Sequence, residues 1–360
     1  MSGLSLHPAE RGNGIGKEVA KKEDVQAQVP KAPKEDALQE QKEKMKILVT
    51  ADIHLGFRSL PVVREGFNVR ELDVYHSFLR VLQVAQEEKP DLVVIAGDLF
   101  DQRRPPIDAI NVAFEVLGKL PDTIVVGGNH DNDGPRERSP LRILRRLSHV
   151  EVVLGDPRIL EVKGSRFFCV PFTEVLPKFL PADYLVGHLR DNRVPEFRAS
   201  SIRVPNERYS ACFLGDLHRY FLFENLVYPG ATERLSFQQE QHSVGVCLYE
   251  SGRFSRLEFP GRKFVTLEGP PEDEKSLEGA VVRCILEGGG EGIPSWVEQL
   301  KAVALHISVS WVRKEDDLML VPPSGGNLLE RFDKFVSQKR FSREAVELAR
   351  SALRHAVAES

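Results

Sequence analysis

Apolar residues along this chain follow two rhythms. Short continuous runs at 47–50, 92–96 and 123–126, each closed by polar turn residues, read as buried strands. Between the first two, Leu72, Tyr75, Phe78, Leu79, Leu82 and Ala85 recur at three- and four-residue spacing, which predicts a helix over 72–88. A second helix is expected over 107–120, making the first half a β-α-β-α-β succession. Farther on, 159–162, 167–170, 184–186, 211–214 and 244–249 read as short strands with few helices between them. Both halves fit a mixed-sheet α/β sandwich with helices outside. Strands at 263–268, 280–286 and 305–312 with a helix at 295–303 then predict a small α+β unit. The chain ends in an expected helical hairpin. Asn327 and Glu330 form a capping box, Leu328, Leu329, Phe332, Phe335 and Val336 share a face, and Ser342 caps a second amphipathic helix. Pattern alone favours packing of that hairpin back onto the core. The expected division is therefore 1–44, 45–260, 261–324 and 325–360.

Composition refines this division at the start of the chain. Residues 1–44 hold no aromatic residue and are rich in Lys, Glu, Gln, Ala, Gly and Pro, too little apolar surface to offset the entropy of ordering. This leader is expected to be disordered. It either tethers a partner or precedes a true start at Met45. The remainder is ordinary for a globular protein, with 41% hydrophobic and 28% charged residues. No apolar run reaches the ~20 residues of a membrane span and no signal peptide opens the chain. Cys169, Cys212, Cys247 and Cys284 lack paired spacing and read as small buried hydrophobes in a reducing compartment, so a cytoplasmic protein is expected. A net charge of −4 carries no global nucleic-acid signal. Local arginine series do occur, one including Arg136, Arg142, Arg145 and Arg146 and another including Arg190, Arg193, Arg198 and Arg203. Such series are more often solvated faces than phosphate tracks.

Chemistry gathers where the strands end. Asp52-Ile53-His54 follows the first strand, placing two ligand-bearing side chains on one face. Gly97-Asp98-Leu99-Phe100-Asp101 follows the second, Gly128-Asn129-His130-Asp131 the third, Gly187-His188 the strand at 184–186, and Gly215-Asp216-Leu217-His218 the strand at 211–214. Each motif alone is commonplace; five at successive strand ends are not. Carboxylate, imidazole and amide ligands without thiolate suit Mn²⁺ or Mg²⁺ ahead of Zn²⁺ or Fe²⁺. Two ions ~3.5–4 Å apart sharing Asp98 could activate water and stabilise charge on a phosphoryl oxygen.

This order of motifs resembles the calcineurin-like metallophosphoesterase superfamily over roughly 46–259. The resemblance implies a four-layer α/β/β/α sandwich. It also implies one metal held by Asp52, His54 and His218, a second held by Asn129 and His188, and Asp98 bridging them. His130 would contact the phosphate and protonate the leaving oxygen, with Asp131 orienting its imidazole. Gly-Asp-Leu-Phe-Asp followed by Arg103, Arg104, Pro105 and Pro106 resembles SbcD-type DNA repair nuclease subunits, as does Tyr228-Pro229-Gly230-Ala231-Thr232-Glu233-Arg234. That likeness implies DNA as substrate, two Mn²⁺ (or Mg²⁺) ions, and a nucleoid-associated location. The unit at 261–324 would be a capping domain, and the hairpin at 325–360 would bind an SbcC-like coiled-coil ATPase, against the packing-back preference. It further implies a homodimer, for which 107–120 and 141–147 are candidate contacts. Arg103, Arg104, Arg136, Arg190 and Arg193 are the candidate DNA contacts.

One residue departs from the family pattern. Many members carry His-x-His where this chain has Asp216-x-His218. If Asp216 takes the first histidine's place, three carboxylates (Asp52, Asp98, Asp216) oppose two divalent ions, strengthening a preference for hard cations and lowering Lewis acidity slightly. Otherwise Asp216 is a loop residue separated from the metal by water. Two other functions remain open: a phosphodiesterase or phosphatase acting on another phosphoester, and a non-catalytic scaffold for the ATPase. Complete ligand positions speak against the scaffold. His7, His76, His149, His242, His306 and His355 belong to no metal-spaced group.

Overall fold

The short apolar runs do become strands, and they do so in two stacked sheets. The computed structural model describes residues 45–131, 139–288 and 292–312, with a few helical positions at 332, 346, 347 and 349–351. The chain enters through β1 (Ile47–Thr50), turns through a hairpin of β2 (Val63–Arg64) and β3 (Phe67–Asn68), and runs into α1 (Val69–Glu88). Next come β4 (Leu92–Ile95), α2 (Ile107–Leu117), β5 (Thr123–Val126) and β6 (Val150–Val153). The following strands are β7 (Arg158–Val162), β8 (Ser165–Val170), β9 (Tyr184–His188), β10 (Ala211–Gly215), β11 (Phe221–Phe223) and β12 (Leu226–Tyr228), before β13 (Val244–Glu250) and β14 (Arg253–Phe259). The first sheet has the order β14-β13-β1-β4-β5-β6 and the second β11-β12-β10-β9-β8-β7. Strands β1, β4, β5 and β6 pair in parallel, so their C-terminal ends leave the sheet on one edge, and parallel β8, β9 and β10 do the same in the second sheet.

Three apolar layers hold this arrangement. Val74, Tyr75, Phe78 and Val81 of α1 and Ala109, Ala113 and Val116 of α2 pack on Leu48, Val93 and Ile95. Between the sheets Val49, Val94 and Ile124 meet Phe167, Tyr184, Val186 and Phe213, each fully or almost fully buried. Burying one such side chain contributes about 1.5–3 kcal/mol. The outer face of the second sheet is covered by loops and short 3-10 turns around Val194, Ile202, Val204 and Tyr209 rather than by long helices.

Helix α1 begins three residues earlier than periodicity predicts, because the Asn68 side chain accepts from Arg70 N–H and caps it. Its buried stripe is rotated accordingly: Val74 and Val81 face the sheet, while Leu79 is left exposed. The segment at 141–147 is a 3-10 turn, Pro140–Arg146. The four cysteines are buried and unpaired.

Beyond the sandwich, β15 (Phe264–Leu267), β16 (Val281–Glu287), helix α3 (Ser295–Leu300) and β17 (His306–Val312) form a separate three-stranded parallel sheet with its own apolar cluster. It is tied to α1 by Arg262, whose guanidinium donates to both carboxylate oxygens of Asp73. The leader and the hairpin at 325–360 lie outside the described residues, save the few helical positions named above. No helix among the described residues is long and apolar enough to cross a membrane.

Candidate metal centre

The loops after β1 and β4 are laced together as if the sheet continued past its strands. Asp52 N–H donates to Gly97 O (3.1 Å), His54 N–H to Asp98 O (3.0 Å) and Leu55 N–H to Leu99 O (2.8 Å). Holding side chains inward at this seam requires unusual backbone. Asp52 (φ 51°), His54 (φ 57°), Asp98 (φ 51°) and Asp216 (φ 90°) all adopt left-handed conformations. Such conformations cost of order 1–3 kcal/mol each in non-glycine residues, and four at one edge mark a site the fold is built to sustain.

Glycines make the space. A Cβ on Gly97 would fall 2.1 Å from His188 Nδ1, one on Gly128 would fall 2.0 Å from Asp98 Oδ1, and one on Gly215 would fall 2.0 Å from Ala96 O. The Gly97 turn, with φ 98°, was legible from its motif. The close approaches at Gly128 and Gly215 were not. Gly128→Ala is expected to cost on the order of 1–3 kcal/mol through overpacking against backbone. It should also weaken Mn²⁺ binding by displacing Asp98. Thermal unfolding and a Mn²⁺ titration would check this, and wild-type values in both would refute the steric argument.

Six of the seven sequence-predicted metal ligands converge. Asp52, His54 and His218 present ligand atoms within 4.8 Å of one another, as do Asp52, Asp98 and His188. Asp98 Oδ2 lies 3.9 Å from His54 Nε2 and 3.5 Å from His188 Nε2, between the two groups. Asn129 Oδ1 is 3.0 Å from His188 Nε2. His188 Nδ1–H donates to Ala96 O (2.8 Å), which orients the ring and turns Nε2 toward the carboxylates. The seventh, Asp216, stands at the edge of the group, with Oδ1 3.6 Å from His188 Nε2 and its carboxylate forked onto Arg190.

The donor set fits divalent cations. Asp52 and Asp98 are almost wholly buried carboxylates, and the Nε2 atoms of His54 and His218 face each other at 3.2 Å. Buried charges this crowded need a counter-charge. Without one, burial pushes Asp52 up to about 7, and burial with the Asp98 charge pushes Asp131 up to about 6. Burial opposes protonation of His54 and His188, yet a hydrogen bond donated to the Asp101 carboxylate and the charge of Asp98, respectively, hold both above the ordinary 6.5. Burial and neighbouring His54 depress His218 to about 3. Each raised group keeps a proton that the unfolded chain releases. Stability therefore falls as pH rises, for the carboxylates from 3.8 to their folded values and for His54 and His188 from 6.5 upward. His218 acts oppositely only below 6.5. The metal-free protein is accordingly expected to lose melting temperature between pH 6.5 and 8, by roughly 2–4 °C per kcal/mol. Mn²⁺ should flatten that slope; a flat profile in chelator would contradict it.

His130 is exposed at the mouth of the site, with Nδ1–H donating to Asp101 O (2.7 Å), and one of its ring nitrogens lies within 4.8 Å of ligand atoms of His54 and Asp98. Asp131 does not orient it. The buried Asp131 carboxylate accepts from Phe100 N–H (2.8 Å), Gly128 N–H (3.1 Å) and Leu99 N–H (3.2 Å). This corrects the expectation: Asp131 ties two motif loops together through their backbone donors. Two supporting residues escaped sequence reading. Asp101 Oδ1 lies 3.3 Å from His54 Nδ1, and the Gln239 amide nitrogen lies 2.6 Å from His218 Nδ1. Asp101 was visible only as a motif member, and a lone glutamine in a short turn gives no signal.

The candidate DNA contacts divide. Arg103 and Arg104 join Asp101, Gln102, Asn129 and His130 around an open cavity of about 570 Å³ at the metal edge. Arg193 is corrected to a structural role. Its guanidinium is occupied by Asp191 (2.8 Å), Asn206 Oδ1 (2.7 Å) and Val204 O (2.9 Å), pinning the loop over the second sheet. Arg190 is held by Asp216, and Arg136 lies outside the described residues.

Residues 45–220 match the family model described as calcineurin-like phosphoesterase. This region is a calcineurin-like phosphoesterase domain. Related proteins include the DNA double-strand break repair protein Mre11 of Methanocaldococcus jannaschii, 35% identical over 125 residues (33% of this chain, 31% of that protein). The Mre11 of Methanosarcina acetivorans is 25% identical over 342 residues (88% and 54%). The SbcD component of the SbcCD nuclease of Staphylococcus epidermidis is 35% identical over 144 residues (36% and 35%). The chain thus spans between about a third and about half the length of these relatives. A solved archaeal phosphodiesterase overlaps 60% of this chain with 14% identity and a TM-score of 0.37, too distant to inform the site.

Proposed function

We propose that this chain is the nuclease subunit of a DNA repair complex, hydrolysing phosphodiester bonds with two Mn²⁺ (or Mg²⁺) ions. The observation that carries this reading is the placement of Asp98 Oδ2 between the imidazoles of two ligand groups, with His130 directly beside them. Asp52, His54 and His218 would hold one ion, Asn129 and His188 the other, and Asp98 both. The ions would supply Lewis acidity and lower the pKa of water toward neutrality. The chain's own part is geometric and protic. Asp98 Oδ1 accepts from His130 N–H (2.9 Å), fixing the acid relative to the ligands. His130, which lines the cavity, would deliver a proton from Nε2 to the leaving oxygen. Arg103 and Arg104 would meet flanking phosphates. DNA as the substrate is supported by the repair functions of the relatives and by this open, arginine-rimmed cavity.

Under the same reading the unit at 261–324 caps access to the site, the segment at 325–360 binds an SbcC-like coiled-coil ATPase, and the protein works in the cytoplasm at the nucleoid. A homodimer would use the surfaces around Ile107 (67% exposed) and Ile143 (38% exposed), two large apolar side chains left uncovered on the expected contact segments. The test is an assay of end-labelled DNA in Mn²⁺ or Mg²⁺, with and without the ATPase. Absence of cleavage in every combination would defeat the nuclease reading.

A further inference from the structure

The residue that departs from the family pattern has a partner that the motifs do not show. Asp216 follows β10 with its N–H donating to Asp52 Oδ1 (3.1 Å), and its side chain is only 8% exposed. Oδ1 points toward His188 Nε2 at 3.6 Å, while Oδ2 accepts from Arg190 Nε and the Arg190 Nη2 group reaches back to Oδ1 at 3.3 Å. The guanidinium is not loose. It lies over the rings of Phe172 (5.2 Å) and Phe197 (5.9 Å), and Phe172 in turn stands edge-on to His188 (6.0 Å). Arg190 is therefore packed on the ring that flanks the same imidazole that the carboxylate addresses.

Charge explains why the two belong together. A carboxylate in place of a neutral imidazole removes one unit of positive charge from a two-ion centre, and a guanidinium on its outer oxygen returns it. We propose that Arg190 and Asp216 form one composite ligand of zero net charge at the second metal position, in which the guanidinium offsets the Asp216 charge and so limits how tightly that ion is held. This rests on the two-ion reading above. A plain ion pair joining the ends of β9 and β10 would share the geometry but leave metal affinity untouched.

Mn²⁺ binding to the purified full chain, counted by electron paramagnetic resonance of the free ion, separates these cases without any activity assay. Arg190→Gln removes the positive charge that opposes the cation, so the second Mn²⁺ should bind about tenfold tighter. In an Asp216→His background the same change should have an effect of less than about threefold, because no carboxylate then keeps the arginine at the site. Asp216→Asn alone should weaken the second Mn²⁺ by about tenfold and spare the first. Unchanged or weaker binding in Arg190→Gln, an equal shift in both backgrounds, or a second ion unaffected by Asp216→Asn overturns the proposal. Wild-type protein that binds a single Mn²⁺ refutes the two-ion reading itself, and the composite ligand with it.

Discussion

Asp98→Ala should leave a folded protein that cleaves DNA at least about 10³-fold more slowly, since losing ~4 kcal/mol of transition-state stabilisation corresponds to that factor. The argument is one of position. Asp98 is the only carboxylate among the described residues grouped both with His54 and His130 and with Asp52 and His188. Burial opposes its ionisation, yet neighbouring His188 and His54 hold it well below the usual carboxylate range, so it is charged at every working pH. Removing it takes away the shared ligand and the acceptor for His130 N–H in one step. Mn²⁺ titration should show loss of paired binding alongside the lost rate. Cleavage at the wild-type rate would remove the mechanism.

His130→Gln should behave differently, keeping both ions while slowing cleavage by roughly 10²–10⁴-fold, the usual worth of a general acid. Glutamine is polar and can still reach the Asp101 carbonyl, but it carries no titratable proton. The imidazole ring stands edge-on to His54 with centroids 4.8 Å apart, so some packing change is expected, and metal binding is the control that exposes it. If His130 acts as a ligand instead, the second measurement fails first: Mn²⁺ affinity drops together with the rate. A substrate with a better leaving group should narrow the gap between variant and wild type only if proton delivery is what was lost.

Much of this centre could be read from sequence because its ligands sit where a simple rule puts them. A strand that must be buried ends in a turn, and the residues of that turn are the first free to face a cleft. Asp52, Asp98, Asn129, His188 and His218 all follow apolar runs and all reach the cleft. What the pattern could not carry was any contact made across the fold. Asp131 seemed to belong to His130 as its neighbour in sequence, whereas its oxygens are claimed by backbone donors 3, 31 and 32 residues away. Arg193 looked like a phosphate contact, yet Asp191 two residues earlier and a returning loop consume it. Strand β14 (Arg253–Phe259) was missed for another reason. It interleaves polar and apolar residues at a half-exposed edge, and no continuous apolar run announces it.

The centre also straddles a seam. Asp52, Asp98 and Asn129 come from the first sheet, and His188, Asp216 and His218 from the second. Two hydrogen bonds at the strand ends, His188 Nδ1–H to Ala96 O and Asp216 N–H to Asp52 Oδ1, staple the halves at this edge. The gap between the two halves is therefore gauged by the aromatic layer inside the sandwich, where Phe167, Tyr184 and Phe213 stack. Under the two-ion proposal, the thickness of that layer would act as a spacer for the ions. Residues remote from the cleft would thereby share in setting the geometry of its ligands, and drift in the core of such a protein would be constrained by the site as well as by folding.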